Sequence, residues 1–256
     1  MNDMAILTDT TMCIGCGECV MACKRENEPE PERPRRWQID DGLTARNWTS
    51  VVSRNGGKYV RKQCRHCIDP ACMSVCPVNA FSQTPEGAVV YDPKRCIGCR
   101  YCMMACPFGI PRYEWDKAVP YIKKCTFCTQ RISQGRQPAC TEACPTHATI
   151  FGPRKDLLQI AKKRLQENPT RYIPHIWGER EVGGTRILYL SDIDLSFLHY
   201  GQPIGNKPLP VLTESAMKAV PFAFIGIGSA MAGLHWIIDR RNKLKKIKNP
   251  ENENDG

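Results

Sequence analysis

The plainest feature of the hydrophobic pattern is a run from Ala219 to Ile238, A-V-P-F-A-F-I-G-I-G-S-A-M-A-G-L-H-W-I-I, with no formal charge in it. This is the length one helix needs to cross a bilayer. Lys218 and Asp239 bound it, and Gly226, Gly228, Ala230, Ala232 and Gly233 supply small faces for close helix contact. A buried helix of a soluble protein is the competing reading, but so apolar a run at the C-terminus, between charged flanks, predicts a membrane span. Upstream, Pro153 precedes R-K-D-L-L-Q-I-A-K-K-R-L-Q-E-N, in which Leu157, Leu158, Ile160, Ala161 and Leu165 form a stripe at helical spacing and Asn168-Pro169 ends it. An amphipathic helix packed on the interior is predicted there. V-V-S-R-N-G-G-K-Y-V-R has apolar positions on both sides of Asn55-Gly56-Gly57 and predicts a surface β-hairpin. G-A-V-V-Y-D at 87–92 and the run after Gly183-Gly184 read as strands, whereas E-N-E-P-E-P-E-R-P-R-R at 26–36 reads as a charged loop.

Cysteine changes this picture. The 256 residues contain 16 cysteines, all in four compact groups: Cys13, Cys16, Cys19, Cys23; Cys64, Cys67, Cys72, Cys76; Cys96, Cys99, Cys102, Cys106; and Cys125, Cys128, Cys140, Cys144. A disulfide framework ties together scattered cysteines, so disulfides are disfavoured. Zinc ribbons begin C-x-x-C but have no use for a third cysteine three residues on. Groups one and three have that cysteine, and three of the four groups end in Cys-Pro. This is the bacterial [4Fe–4S] run, in which the last cysteine, expected to start a helix, ligates the other cluster of a two-cluster fold. Lys24 replaces the proline of group one, and the second-to-third gap widens in groups two and four. The widened loop of group four has room to shield its cluster or meet a partner. Gly15 and Gly17 are read as keeping side chains away from amides that approach cluster sulfur. His66 is within ligand reach, but with all four cysteines present it reads as a hydrogen-bonding or solvent-facing residue.

Ligand exchange between groups requires pairs. The simplest nested arrangement joins Cys64, Cys67, Cys72 and Cys106; Cys96, Cys99, Cys102 and Cys76; Cys13, Cys16, Cys19 and Cys144; and Cys125, Cys128, Cys140 and Cys23. Spacing alone leaves other pairings open. The formal charge of +10 would ordinarily suggest a polyanionic partner. Four oxidised centres bring about −8, however, and most of the excess Lys and Arg is read as offsetting them. No run of basic residues interleaved with aromatics precedes the extreme C-terminus, so nucleic acid is not an expected partner. Nor is there a nucleophile–base pair or phosphate loop, so no catalytic residue is assigned. The chemistry is single-electron transfer.

With these groups and the C-terminal span, the chain resembles the four-cluster iron–sulfur subunits of membrane respiratory oxidoreductases, the family around the molybdopterin enzymes. W-G-E-R-E-V-G-G-T-R-I-L-Y-L at 177–190 and the single C-terminal helix look most like the β subunit of respiratory formate dehydrogenase. The electron-transfer subunit of quinone-linked nickel–iron hydrogenase is close behind. The resemblance implies the same nested pairing, with the lobe of groups two and three nearer the membrane. Relatives with a [3Fe–4S] centre lose a cysteine of group three; Cys99 is present, which implies four [4Fe–4S] clusters. The implied fold class is α+β, with two ferredoxin-like two-cluster lobes with loop insertions plus one C-terminal transmembrane helix.

The expected layout is a four-cluster domain at 1–152 with an insertion at 24–63, a covering segment at 153–215, a span at 216–240 and a tail at 241–256. The insertion hairpin is read as plain surface, with a partner contact as the alternative. Implied partners are a catalytic molybdopterin or nickel–iron subunit, an integral membrane quinone-reactive or cytochrome b subunit, and the bilayer. Arg240, Arg241, Lys243, Lys245, Lys246 and Lys248 follow the span, against Lys207 and Lys218 before it, which predicts a cytoplasmic C-terminus and clusters on the outer (periplasmic) face. The first twelve residues carry no signal pattern. Export alongside a partner that bears a twin-arginine signal is therefore implied. A cytoplasm-facing module with the helix inverted and a soluble polyferredoxin are the alternatives. His235, near the inner end of the span, is left between a functional role and helix packing.

Overall fold

Strands from distant parts of the chain meet in one sheet in this computed structural model, which describes residues 3–27, 36–37, 41–54, 56–115, 117–118, 121–199 and 204–248. In chain order the elements are β1 (Met4–Asp9), α1 (Glu18–Asn27), β2 (Arg36–Trp37), β3 (Thr49–Arg54), β4 (Lys58–Gln63), α2 (Ala71–Ser74), β5 (Phe81–Gln83), β6 (Val89–Tyr91), α3 (Tyr101–Ala105), β7 (Arg112–Tyr113), β8 (Ile122–Lys123), α4 (Thr129–Ser133), α5 (Ala139–Glu142), β9 (Thr149–Pro153), α6 (Arg154–Glu167), β10 (Ile187–Leu190) and α7 (Leu209–Lys248). The main sheet has the order β10-β1-β9, with β1 parallel to β10 and antiparallel to β9.

Both faces of that sheet are covered, which is why β1 and β10 read as continuous apolar runs rather than alternating ones. Ala5, Leu7, Leu188 and Leu190 face α6, whose Leu157 and Ala161 are buried against them. Ile6, Ile187 and Tyr189 point the other way, into a core shared with Val60, Phe127 and Cys140. The predicted helix is therefore found as α6, but Ile160 is 38% exposed and off the stripe. The buried positions recur at i and i+4, and Ile160 lies one position short of that row.

The hairpin also forms as predicted, with Arg54 opposite Lys58; Asn55 lies outside the described residues, as do residues 28–35 of the charged loop. It is not a surface hairpin. Residues 49–52 and 60–63 are buried and only its tip is exposed. A polar sequence such as Thr49, Ser50, Arg61, Lys62 and Gln63 gives no apolar signal of burial, yet all five are buried, and Thr49, Ser50 and Lys62 find polar partners inside. Lys62 and Arg112 pair with Asp41 at 3.1 and 2.5 Å, and Thr49 donates to the Lys62 carbonyl.

Residues Met1–Pro210 form one unit and Val211–Gly256 a second. The second unit is dominated by α7, which is long and apolar enough to cross a membrane. At 40 residues α7 is about 60 Å long, roughly twice the hydrocarbon thickness of a bilayer. It therefore extends past Ala219–Ile238 at both ends, and Phe222, Phe224, Ile225, Ile227 and Met231 lie exposed along it.

Asp9 closes β1 and is fully buried. Its carboxylate accepts from Tyr172 Oη at 2.8 Å, Arg164 Nη1 at 2.9 Å and the Thr11 amide at 3.1 Å. Asp9→Ala strands these donors and should cost about 3 kcal/mol, read as a lowered thermal midpoint of the cluster-loaded protein. An unchanged midpoint would refute this anchoring role.

Candidate iron–sulfur centres

Each cysteine group is a tight turn followed by a helix. In every C-x-x-C turn the residue before the second cysteine has a left-handed backbone: Gly15 (φ 68°), His66 (φ 45°), Gly98 (φ 72°) and Phe127 (φ 62°). That bend turns the amide back on the first sulfur. Gly98 N donates to Cys96 Sγ and Phe127 N to Cys125 Sγ, both at 3.4 Å, and the Gly15 amide bonds Cys13. Glycine thus serves the backbone conformation first. At Gly15 there is a second cause: an added Cβ would lie 2.6 Å from the Tyr59 ring, whereas at Gly98 it would meet nothing within 4 Å. Gly17 (φ 82°) opens α1, its carbonyl accepting from Val20 and Met21.

His66 and Phe127 carry side chains through the same turn because their rings pack together, centroids 4.8 Å apart, both about 1% exposed. His66 is hydrogen-bonded, its Nδ1 accepting the Val89 amide at 3.0 Å, but it does not face solvent. Burial, with Lys124 and Arg186 nearby, pushes its pKa down and keeps the ring neutral.

The helices begin with the third cysteine of each group rather than the fourth: Cys19 lies in α1, Cys72 in α2, Cys102 in α3 and Cys140 in α5. Cys76, Cys106 and Cys144 follow helix ends, each just before a proline. Proline disfavours helical backbone in the residue it follows, and Cys106 is extended (φ −78°, ψ 112°). In group one Lys24 stands in place of proline, and α1 runs on through Cys23 to Asn27. The eleven-residue gap of group four folds back on itself through Arg131, which bonds the Gln137 carbonyl at 2.9 Å, Glu26 at 3.0 Å and Glu142.

Strand pairing then brings the groups together. β1 leads into group one and β9 leaves group four, so the register Thr8↔Thr149 lays Cys13 beside Cys144. The β5–β6 register Phe81↔Tyr91 likewise sets Cys76 in one apolar cluster with Cys96 and Cys102. α1 packs on α5, and α2 on α3. Cys19 stands within electrostatic reach of Cys13, Cys16 and Cys140, and Cys23 of Cys125, Cys128 and Cys140. Cys67 faces Cys64, Cys72 and Cys106, and Cys102 faces Cys96 and Cys99. Between these sets, Cys125 neighbours Cys64, and Cys72 neighbours Cys102.

All sixteen cysteines are free thiols; Cys16 and Cys99 are exposed. Burial, joined by crowding among the thiols, pushes up Cys13, Cys19, Cys23, Cys67, Cys72, Cys102, Cys106, Cys125 and Cys128, with Cys19 at about 12 and Cys102 at about 11. Groups so disposed hold protons until a metal displaces them. The donor set suits iron–sulfur clusters: soft thiolates, amides aimed at sulfur, and a cavity framed by Cys13, Cys16, Cys19 and Cys144. Tyr113 Oη adds a contact to Cys102 Sγ at 3.8 Å. Neither it nor the buried Arg61 was singled out by the sequence, since Tyr113 lies outside the cysteine groups and Arg61 ends a hairpin that reads as surface.

Comparison with known proteins agrees with this site. The 4Fe-4S dicluster domain family matches residues 56–154, and the 4Fe-4S binding domain family matches residues 6–26. A Nitratidesulfovibrio vulgaris (Hildenborough) protein is 41% identical over 95% of this chain and 69% of its own. The hydrogenase-2 operon protein HybA of Escherichia coli O157:H7 is 37% identical over 85% of this chain and 76% of its own. The iron–sulfur subunit of nitrate-inducible formate dehydrogenase of Escherichia coli K12 is 36% identical over 92% and 85%. The chain belongs to this family of 4Fe-4S iron–sulfur subunits of oxidoreductases, and [4Fe–4S] clusters are its cofactors.

The two glycine turns separate strain from packing. Gly98→Ala should cost about 1 kcal/mol for its left-handed backbone alone, and Gly15→Ala clearly more because of Tyr59. Equal losses of thermal stability in the two variants would contradict the contact.

Proposed function

We propose that this chain relays single electrons through four [4Fe–4S] clusters between a catalytic subunit, formate dehydrogenase in the favoured reading, and a membrane quinone-reactive or cytochrome b subunit. A bound cluster supplies a site that gains or loses one electron; the protein's part is to hold, insulate and order such sites. The ligand sets are Cys13, Cys16, Cys19, Cys144; Cys125, Cys128, Cys140, Cys23; Cys64, Cys67, Cys72, Cys106; and Cys96, Cys99, Cys102, Cys76. Groups one and four make one ferredoxin-like lobe, groups two and three the other.

The observation that carries this reading is the order of adjacency. Cys19 shares an apolar cluster with Cys140, Cys125 with Cys64, and Cys72 with Cys102, which supports an order in which the four proposed sets follow one another from neighbour to neighbour. That order ends at the two sets that contain the exposed cysteines, Cys16 and Cys99. Exposed apolar side chains flank both ends: Ile14 at one, and Ile97, Tyr101, Met104 and Trp115 at the other. Such a distribution suits docking of a donor and an acceptor subunit. Likeness to HybA supports a second reading, with a nickel–iron hydrogenase as the catalytic partner. The segment at 216–240 crosses the membrane, with the basic residues after Asp239 on the cytoplasmic side and the cluster domain outside.

Purification of the intact complex and mass spectrometry of its large subunit decides between formate dehydrogenase and hydrogenase. In sealed right-side-out vesicles, protease added outside should digest the cluster domain; full protection would reverse the orientation. Cys106→Ser should alter the EPR signal of the centre held by Cys64, Cys67 and Cys72. Damage confined to the centre of Cys96, Cys99 and Cys102 would overturn the exchanged pairing.

A further inference from the structure

Arg61, on β4, is the largest fully buried side chain of the described residues. Its Nη2 donates to Thr149 Oγ1 at 3.1 Å, while Nε and Nη1 are buried with no hydrogen-bond partner among the described residues. A guanidinium cannot shed its proton to escape this position, and a buried charge without a counter-charge is strongly unfavourable. The groups that act on Arg61 most strongly are thiols, Cys140 and Cys19, rather than carboxylates. Cys13 and Cys23 feel it as well. Arg61 lines the cavity framed by Cys13, Cys16, Cys19 and Cys144, and it also reaches Cys140 of the neighbouring set. One cation thus lies between two sets of sulfurs, with two N–H groups to spare.

We propose that Arg61 is the shared counter-ion of the two centres built from cysteine groups one and four, its Nε–H and Nη1–H donating to sulfur of those centres. This rests on the ligand sets proposed above. Reduction of either centre adds one electron and hence one negative charge, which a fixed cation stabilises. Hydrogen bonds to cluster sulfur act in the same direction on the potential. Arg61 therefore makes both centres easier to reduce than an uncharged side chain would, and it selects this lobe over the other.

The test is a mediated redox titration followed by EPR on the full-length protein carrying Arg61→Gln or Arg61→Lys, with iron counted in each sample. The two midpoint potentials that also move in Cys16→Ser and Cys128→Ser identify the pair. In Arg61→Gln both should fall by at least tenfold in the reduction equilibrium, about 59 mV for a one-electron couple, while the other two stay put. Arg61→Lys keeps a charge without the planar fork, so the same two should fall by less. Where Arg61→Gln loses iron, Arg61→Lys decides alone. A fall confined to the pair supports the counter-ion, and unshifted potentials or a shift in only one centre overturn it. Full iron with unshifted potentials leaves the four-centre reading intact; wild-type protein far short of about sixteen iron atoms per chain overturns both.

Discussion

Antiparallel strand pairing is the constraint on which the cysteine sites depend. In the proposed ligand sets each cysteine group takes one sulfur from another group. Two registers supply the meeting. Thr8 opposite Thr149 brings the start of group one to the end of group four, and Phe81 opposite Tyr91 brings the end of group two to the start of group three. A slip of one residue in either would turn every side chain of that strand to the opposite face. The first register is held from several directions, by β10 on the far side of β1, by α6 across one face, and by the buried Asp9 with its four donors from Thr11, Arg164 and Tyr172.

Charge is the second theme. Clusters on thiolates bring negative charge into the interior, and the interior is correspondingly basic. Lys24, Arg61, Lys62, Arg65, Lys124, Arg131 and Arg186 are buried among the described residues, against only Asp9 and Glu181 of the acids. Some of these cations already have protein partners: Lys124 donates to the Val89 and Cys125 carbonyls, and Arg131 binds two glutamates. Among the described residues, the Arg61 guanidinium has Thr149 as its oxygen partner, with Cys140, Cys19 and Tyr189 around it. The +10 of the sequence is thus partly an inward-facing charge, as expected of a chain that encloses anionic cofactors rather than one that binds a polyanion on its surface.

The insertion at 24–63 changes most between sequence and structure. Its hairpin looks like an ornament in sequence because Lys, Arg, Thr, Ser and Gln dominate it. In the folded chain its strands are largely buried, and its largest fully buried side chain is a cation. Polar residues inside a protein are illegible from hydropathy, since what makes burial tolerable is the partner, and the partner here comes from other groups. His66 is similar: its position in C-R-H-C invites a ligand or surface reading, whereas the fold gives it a backbone amide and an aromatic neighbour.

By itself, the sequence determined what depends on near neighbours. The four cysteine quartets, the iron–sulfur chemistry, the amphipathic helix after Pro153 and the apolar C-terminal helix all follow from spacing within a few helical turns, whereas the short helices start at the third cysteine of each group and not, as spacing suggests, at the fourth. Even the exception was local, since Lys24 in place of proline lets α1 continue where its counterparts stop. Only the tertiary structure decided which cysteine groups meet, which two cysteines reach the surface, and that a buried hairpin arginine stands among cysteines of groups one and four. The physical reason is that such relations are set by strand register and packing between segments far apart in the chain, where several nestings satisfy the same local spacing and only one buries the sheet, the charges and the sulfurs together.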